Sequence, residues 1–163
     1  HRDLHSLRRR QRQMCIRDRA YEDPVEKKSF LLYKFLERRG IFEAKDKENI
    51  HVPVDNHLTR IAIRFGLVVV PKEFEEIFLW RKEADRFTDI ILRFHIREAY
   101  KEVSRLSGIP PTRLDDFLWM HGRNVCTTPP LCEKCPLKES CNAYRNPVLK
   151  KYREHYYLNT WYY

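Results

Sequence analysis

Apolar and polar positions along this chain recur with a helical period almost throughout. In DNHLTRIAIRFG, Leu58, Ile61, Ala62 and Phe65 fall at i, i+3, i+4 and i+7, which predicts an amphipathic helix with Asp55 as its N-cap. A longer periodic segment covers about residues 84–106. There Phe87, Ile90, Ile91 and Phe94 make one apolar stripe, continued by Ala99 and Val103 and expected to face a core. Gly108 and Pro110-Pro111 end that segment. Upstream, Asp23-Pro24 is a helix-start signal for VEKKSFLLYKFLERRG, which stops at Gly40. Residues 41–54 read as a connector ending in HVPV. Thr112 and Asp115 have the S/T-x-x-D/E capping spacing and open TRLDDFLWMHG. The apolar run 67–70 reads as a buried extended piece, not a sheet strand, because no partner strand is evident. The predicted class is all-α.

Composition adds bounds. The 163 residues suit one domain or two small ones, and 42% hydrophobic residues suffice for a core. No run approaches the ~18–20 apolar residues of a membrane span, so no membrane partner is expected. The formal charge of +9 points toward a polyanion, most simply nucleic acid. Residues 1–19, HRDLHSLRRRQRQMCIRDR, hold seven Arg and two Asp and so supply +5 of that charge, leaving +4 for the rest. This segment lacks apolar periodicity, begins without Met and resembles translated adaptor sequence, so it is set aside from the fold. The rival reading is a native basic arm. If the natural sequence begins at residue 20, it begins in mid-domain, and the chain is expected to be a C-terminal piece of a longer protein. Cys15 falls within the excluded segment.

The chemistry concentrates in CTTPPLCEKCPLKESC, where Cys126, Cys132, Cys135 and Cys141 are spaced C-x5-C-x2-C-x5-C. Structural zinc sites pair cysteines as two close C-x2-C knuckles, and here the central pair alone has that spacing. The outer cysteines wrap symmetrically around it, which suits a [4Fe-4S] cluster with one thiolate per iron. Zinc stays open as the runner-up. Disulfides are disfavoured because nothing resembles a secretion signal. The seven histidines show no H-x3-H or H-E-x-x-H pattern for a catalytic zinc.

DDFLWMHGRNVC followed by this loop resembles the iron–sulfur end of the endonuclease III class of helix-hairpin-helix DNA glycosylases. His121-Gly122-Arg123 leads into Cys126 as in that class, although five residues, not the usual six, separate the first two cysteines. HVPVDNHLTRIAIRFGLV is similar to the class's V-D-x-H-x-x-R signature, with Asp55, His57 and Arg60 at the matching positions. The resemblance implies that Asp55 is the catalytic aspartate, held ionised by helix N–H groups. It also implies a nucleophilic lysine where Lys28-Ser29 matches the Lys-Thr pair of bifunctional members, with Lys27 as the alternative. Pro24-Val25-Glu26-Lys27 stands where the class has a Gly-x-Gly hairpin, and both glycines are missing. The separation of 27 residues from Lys28 to Asp55 exceeds that of endonuclease III, while archaeal 8-oxoguanine glycosylases also have a longer one.

The resulting expectation is a partial helix-hairpin-helix domain over 20–108, a [4Fe-4S] lobe over 109–146 and a basic aromatic tail over 147–163. The implied activity is release of a damaged base from double-stranded DNA, by a monomer in the prokaryotic cytoplasm at the nucleoid. A lyase step follows if Lys28 attacks, and water serves if it does not. Lys27, Arg123, Lys134 and Lys138 are candidate DNA contacts. Two rivals are a non-catalytic iron–sulfur nucleic-acid-binding relative and a zinc-stabilised interaction module. Trp80, Phe117 and Trp119 are expected in the core at the junction of the lobes. The tail aromatics Tyr152, Tyr156, Tyr157, Trp161, Tyr162 and Tyr163 are expected to pack on the body, with base stacking as the alternative.

Overall fold

A computed structural model describes residues 21–158 and residue 160. Segment 1–19 with Cys15, and Trp161, Tyr162 and Tyr163, lie outside the described residues. The helices are α1 (Lys27–Arg38), α2 (Asn56–Phe65), α3 (Glu75–Leu79), α4 (Arg86–Ser107), α5 (Pro111–Asn124), α6 (Asn142–Arg145) and α7 (Pro147–Lys151). Single 3-10 turns occur at Lys47–Asn49, Lys72–Phe74, Cys132–Lys134 and Lys138–Ser140. No strand forms among the described residues, so the chain is all-α. No described helix is long and apolar enough to cross a membrane.

Helix α2 is the centre of the molecule. Every residue from Leu58 to Arg64 is buried, and α4, α5, α6 and α7 all pack on it. Its entry is fixed by Val52 and Val54, both fully buried, and its exit by Gly66 at φ 91°, a left-handed backbone that favours glycine. Helix α5 approaches closely because Gly122 faces α2. A Cβ there would lie 3.0 Å from His57 Cβ and 3.2 Å from Ile61 Cδ1. Helix α4 is tied to α2 by the Tyr100 hydroxyl, which donates to the Leu58 carbonyl at 2.8 Å.

The structure corrects four expectations. The expected inward stripe of α4 is largely its outer face: Phe87 is 72% exposed, and Ile91 and Phe94 are also exposed. The buried face carries Asp89, Arg93, Ile96, Arg97 and Tyr100. Three of these are charged, and their partners include Asp23, Glu26 and His155, which come from far along the chain. A hydropathy period cannot register charges that are neutralised at long range. Phe87 and Ile91 instead wall an open apolar groove of about 510 Å³ together with residues 67–71, Phe74 and Phe78.

The run 67–70 is accordingly half-buried at the groove, with Val69 84% exposed. Thr112 does not cap α5. The helix starts one residue earlier, with Pro111 in its first turn and no side-chain cap, and Asp115 turns to Lys34. Trp80, Phe117 and Trp119 are exposed; Trp119 lies beneath the Arg123 guanidinium at 4.4 Å and Phe117 stacks on His121.

The tail returns along the body. Tyr152 is buried against Phe78, the Arg153 N–H donates to the Phe78 carbonyl at 3.0 Å, and the Ala84 N–H donates to the Tyr156 carbonyl at 3.0 Å.

Candidate active site and cysteine centre

Asp55 caps α2 as its sequence suggests. Its backbone is extended, and Oδ1 accepts the Leu58 N–H at 2.9 Å. The start of α1 lies within its electrostatic reach. Burial lowers the Lys27 pKa, Asp55 and Asp23 oppose that shift, and Lys28 and Arg93 add to it. Lys27 and Lys28 are the first two residues of α1, and both are partly buried.

The turn into α1 retains a left-handed step without glycine, at Glu26 with φ 57°. The Asp23 carboxylate accepts the Val25 N–H at 3.0 Å and the Lys27 N–H at 3.2 Å. Two amides at this turn are therefore already satisfied by the protein. Asp23 is itself held by Arg93 at 3.0 Å.

Sequence reasoning missed a buried ion pair between α1 and α5. The Lys34 ammonium contacts Asp115 directly and Asp116 at 2.7 Å. Burial pushes the Asp115 carboxyl up despite Lys34, and the charge of Asp55 pushes in the same direction. The signal was a lysine inside the apolar run FLLYKFL. A second missed feature is the spacing of His57, Arg60 and Arg64, which puts three basic side chains on one face of a buried helix. Arg60 donates to the Cys126 carbonyl at 2.9 Å and the Gly122 carbonyl at 2.8 Å, pairs with Glu154, and meets His57 Nδ1 at 3.2 Å.

Cys126, Cys132, Cys135 and Cys141 are free thiols, partly buried, and all four line one small pocket with Arg64 and His121. The two 3-10 turns of the cysteine loop end at cysteines: the Cys135 N–H donates to the Cys132 carbonyl and the Cys141 N–H to the Lys138 carbonyl, both at 3.1 Å. Helix α6 seats Cys141 at the end of α2, where its thiol donates to the Arg64 carbonyl at 3.6 Å. His121 Nε2 stands 3.7 Å from Cys135 Sγ, and burial lowers its pKa. Burial also pushes the Cys132 and Cys135 thiols up, a tendency that a coordinated cation reverses. Among the described residues no three His, Cys, Asp or Glu side chains converge on a single-ion site.

Of the candidate DNA contacts beyond Lys27, Arg123 is exposed and stacked on Trp119, and Lys134 is exposed on the cysteine loop. Lys138 is half-exposed, 3.9 Å from Glu133 and over the Tyr144 ring.

Endonuclease III of Rickettsia felis is 25% identical over 148 residues, covering 74% of this chain and 67% of that protein. No solved structure matches significantly. The family model described as AGOG, N-glycosylase/DNA lyase, matches residues 31–151, which runs from within α1 through Asp55 and all four cysteines to the end of α7. This chain therefore belongs to the AGOG N-glycosylase/DNA lyase family, within the helix-hairpin-helix glycosylase superfamily.

Proposed function

We propose that this protein releases a damaged base from double-stranded DNA through a covalent amine intermediate, with Lys27 as the nucleophile and Asp55 as the stabilising carboxylate. One observation carries the reading: Asp55 caps the central helix, and its charge acts on a partly buried amine at the start of α1. This prefers Lys27, the alternative in the sequence, over the first expectation of Lys28. Burial favours the neutral, attacking form of Lys27.

In the reaction the target nucleotide is flipped out of the stack. The Lys27 amine attacks its C1′ as the base leaves with the bonding pair, and Asp55 balances the positive charge on the sugar. Loss of a proton and opening of the sugar give a Schiff base, from which removal of a C2′ proton expels the 3′ phosphate.

Cys126, Cys132, Cys135 and Cys141 would hold a [4Fe-4S] cluster, one thiolate per iron, and the cluster would cross-link the loop that follows α5 and lies against the end of α2. The C-x5-C-x2-C-x5-C spacing, with all four thiols lining one pocket, supports the cluster over zinc. Arg123, Lys134 and Lys138 are proposed to meet DNA phosphates from the exposed side of this lobe.

The test is borohydride trapping and base release on duplex DNA carrying a damaged base. Asn caps a helix as well as Asp, so Asp55→Asn should keep fold and iron content while base release falls about 10²–10³-fold. Undiminished release would sink the assignment. Lys27→Gln should abolish the trapped adduct and Lys28→Gln should not; the reverse returns the role to Lys28. A second reading, a non-catalytic DNA-binding relative, draws on the Asp23 carboxylate, which occupies amides that the glycine hairpin would offer to a phosphate. DNA binding with neither adduct nor base release would select it.

A further inference from the structure

Arg64 is 1% exposed near the end of α2, and its surroundings are unlike those of the other buried arginines. Arg60 holds Glu154, Arg93 holds Asp23 and Asp89, and Arg97 holds Glu26. Among the described residues no carboxylate lies in ion-pair range of Arg64. Its guanidinium donates to the Tyr152 carbonyl at 2.8 Å and the Thr127 carbonyl at 2.6 Å. Longer contacts reach the Cys126 carbonyl and the Thr128 hydroxyl, both at 3.4 Å, and Cys126 Sγ at 3.5 Å. These partners are carbonyls, a hydroxyl and a thiol, and none is a carboxylate. A guanidinium taken out of water among neutral groups is strongly disfavoured, and buried charges are normally paired. The missing anion has one source close by, because Arg64 lines the same pocket as all four cysteines.

We propose that Arg64 is the built-in counter-charge of an anionic tetrathiolate centre and a positioning residue that sets its redox poise. The inference rests on the reading of the four cysteines as cluster ligands. Four thiolates around a cluster core of formal charge 2+ leave a net 2−, which compensates one guanidinium and leaves the centre anionic. Removing the guanidinium disfavours adding an electron, so the oxidised form gains.

The experiment uses the full chain purified anaerobically, as wild type, Arg64→Lys and Arg64→Gln, with iron content, absorbance near 400 nm and an electrode titration of the cluster's one-electron couple. Glutamine keeps part of the hydrogen bonding without the charge, and lysine keeps the charge without the fork. In Arg64→Gln the oxidised-to-reduced ratio at fixed potential should rise at least tenfold, a shift of 59 mV for one electron. Arg64→Lys should stay within threefold of wild type. A wild-type potential in Arg64→Gln overturns the proposal, because a packing or hydrogen-bonding role alone leaves the potential unmoved.

If Arg64→Gln holds no cluster, thermal midpoints of the chelator-stripped proteins decide. The variant should match or exceed stripped wild type, since it no longer buries an uncompensated charge, and a lower midpoint overturns the proposal. Wild type lacking both iron and absorbance near 400 nm is a different failure, that of the cluster reading itself.

Discussion

Arg93 offers the sharpest test of how this fold holds its candidate site. It is fully buried on α4, with Nη2 2.9 Å from Asp89 Oδ2, Nε at 3.2–3.3 Å from both Asp89 oxygens, and Nη1 3.0 Å from Asp23. His155 Nε2 approaches Asp89 Oδ1 at 2.7 Å, so the network joins α4 to the tail and to the turn before α1. Arg93→Met keeps most of the aliphatic stem and removes the charge from between two carboxylates. Breaking a buried pair by deleting one partner costs about 3–5 kcal/mol. The amides of Val25 and Lys27 still serve Asp23, and His155 still serves Asp89, which places the expected loss near the lower end, about 3 kcal/mol. At roughly 2–4 °C per kcal/mol for a chain of this size, the midpoint should fall by about 6–12 °C. Urea unfolding followed by far-UV circular dichroism, alongside thermal melts, measures both. Adding Asp89→Asn should restore part of the loss. A deficit under about 1 kcal/mol would refute the reasoning, because it would mean the carboxylates are already hydrated and the network is not a buried one.

Three further outcomes follow from local geometry. Gly66→Ala puts a Cβ 2.0 Å from Asn142 Nδ2 in a backbone at φ 91°, so it should cost about 1–2 kcal/mol from the left-handed strain alone and lower iron per chain by displacing α6 from beside Cys141; unchanged iron content would contradict the α2–α6 contact. Gly122→Ala overpacks the α2–α5 seam and should cost about 1–3 kcal/mol in urea, whereas Gly40, with nothing within 4 Å of an added Cβ, pays the backbone term alone. Because burial holds Lys27 below the ordinary lysine value of 10.5, and an amine attacks when neutral, trapping on preformed abasic DNA should rise with pH with a midpoint below 10.5. Asp55→Asn, by removing a charge that raises Lys27, should move that profile lower still, and a midpoint at or above 10.5 would remove Lys27 from the role.

What was legible in the sequence was local. The cap at Asp55 and the end of α4 at Gly108 are decided within a few residues of chain, and they stand where the motifs put them. The cysteine spacing likewise brought four thiols around one pocket. What misled was charge. Lys34, Asp89, Arg93 and Arg64 count as solvent-facing on any hydropathy scale, yet all are buried. For Lys34, Asp89 and Arg93 the compensating partners include residues 66–81 positions away, a separation no window can see. The α4 stripe failed for the same reason: its apolar side was the more regular, and its polar side was the one that folding neutralised.

Helix α2 reconciles the two halves of the candidate site. Ten residues at 1.5 Å each make a rod about 15 Å long. An anion, Asp55, stands at its N-terminus, and a buried cation, Arg64, lies in its last turn, which is the order that the helix dipole favours. The anionic end faces the amine at α1 and the cationic end faces the thiols. The glycine contacts that let other elements close on α2 serve both ends: Gly122 admits α5 against His57 and Ile61, and Gly66 admits α6 beside Cys141. Burial on all sides leaves this helix little freedom to tilt, so the loop that fixes one end also fixes the carboxylate at the other. A four-thiolate centre that breaks no bond itself would still contribute to catalysis in this way, by determining where Asp55 stands.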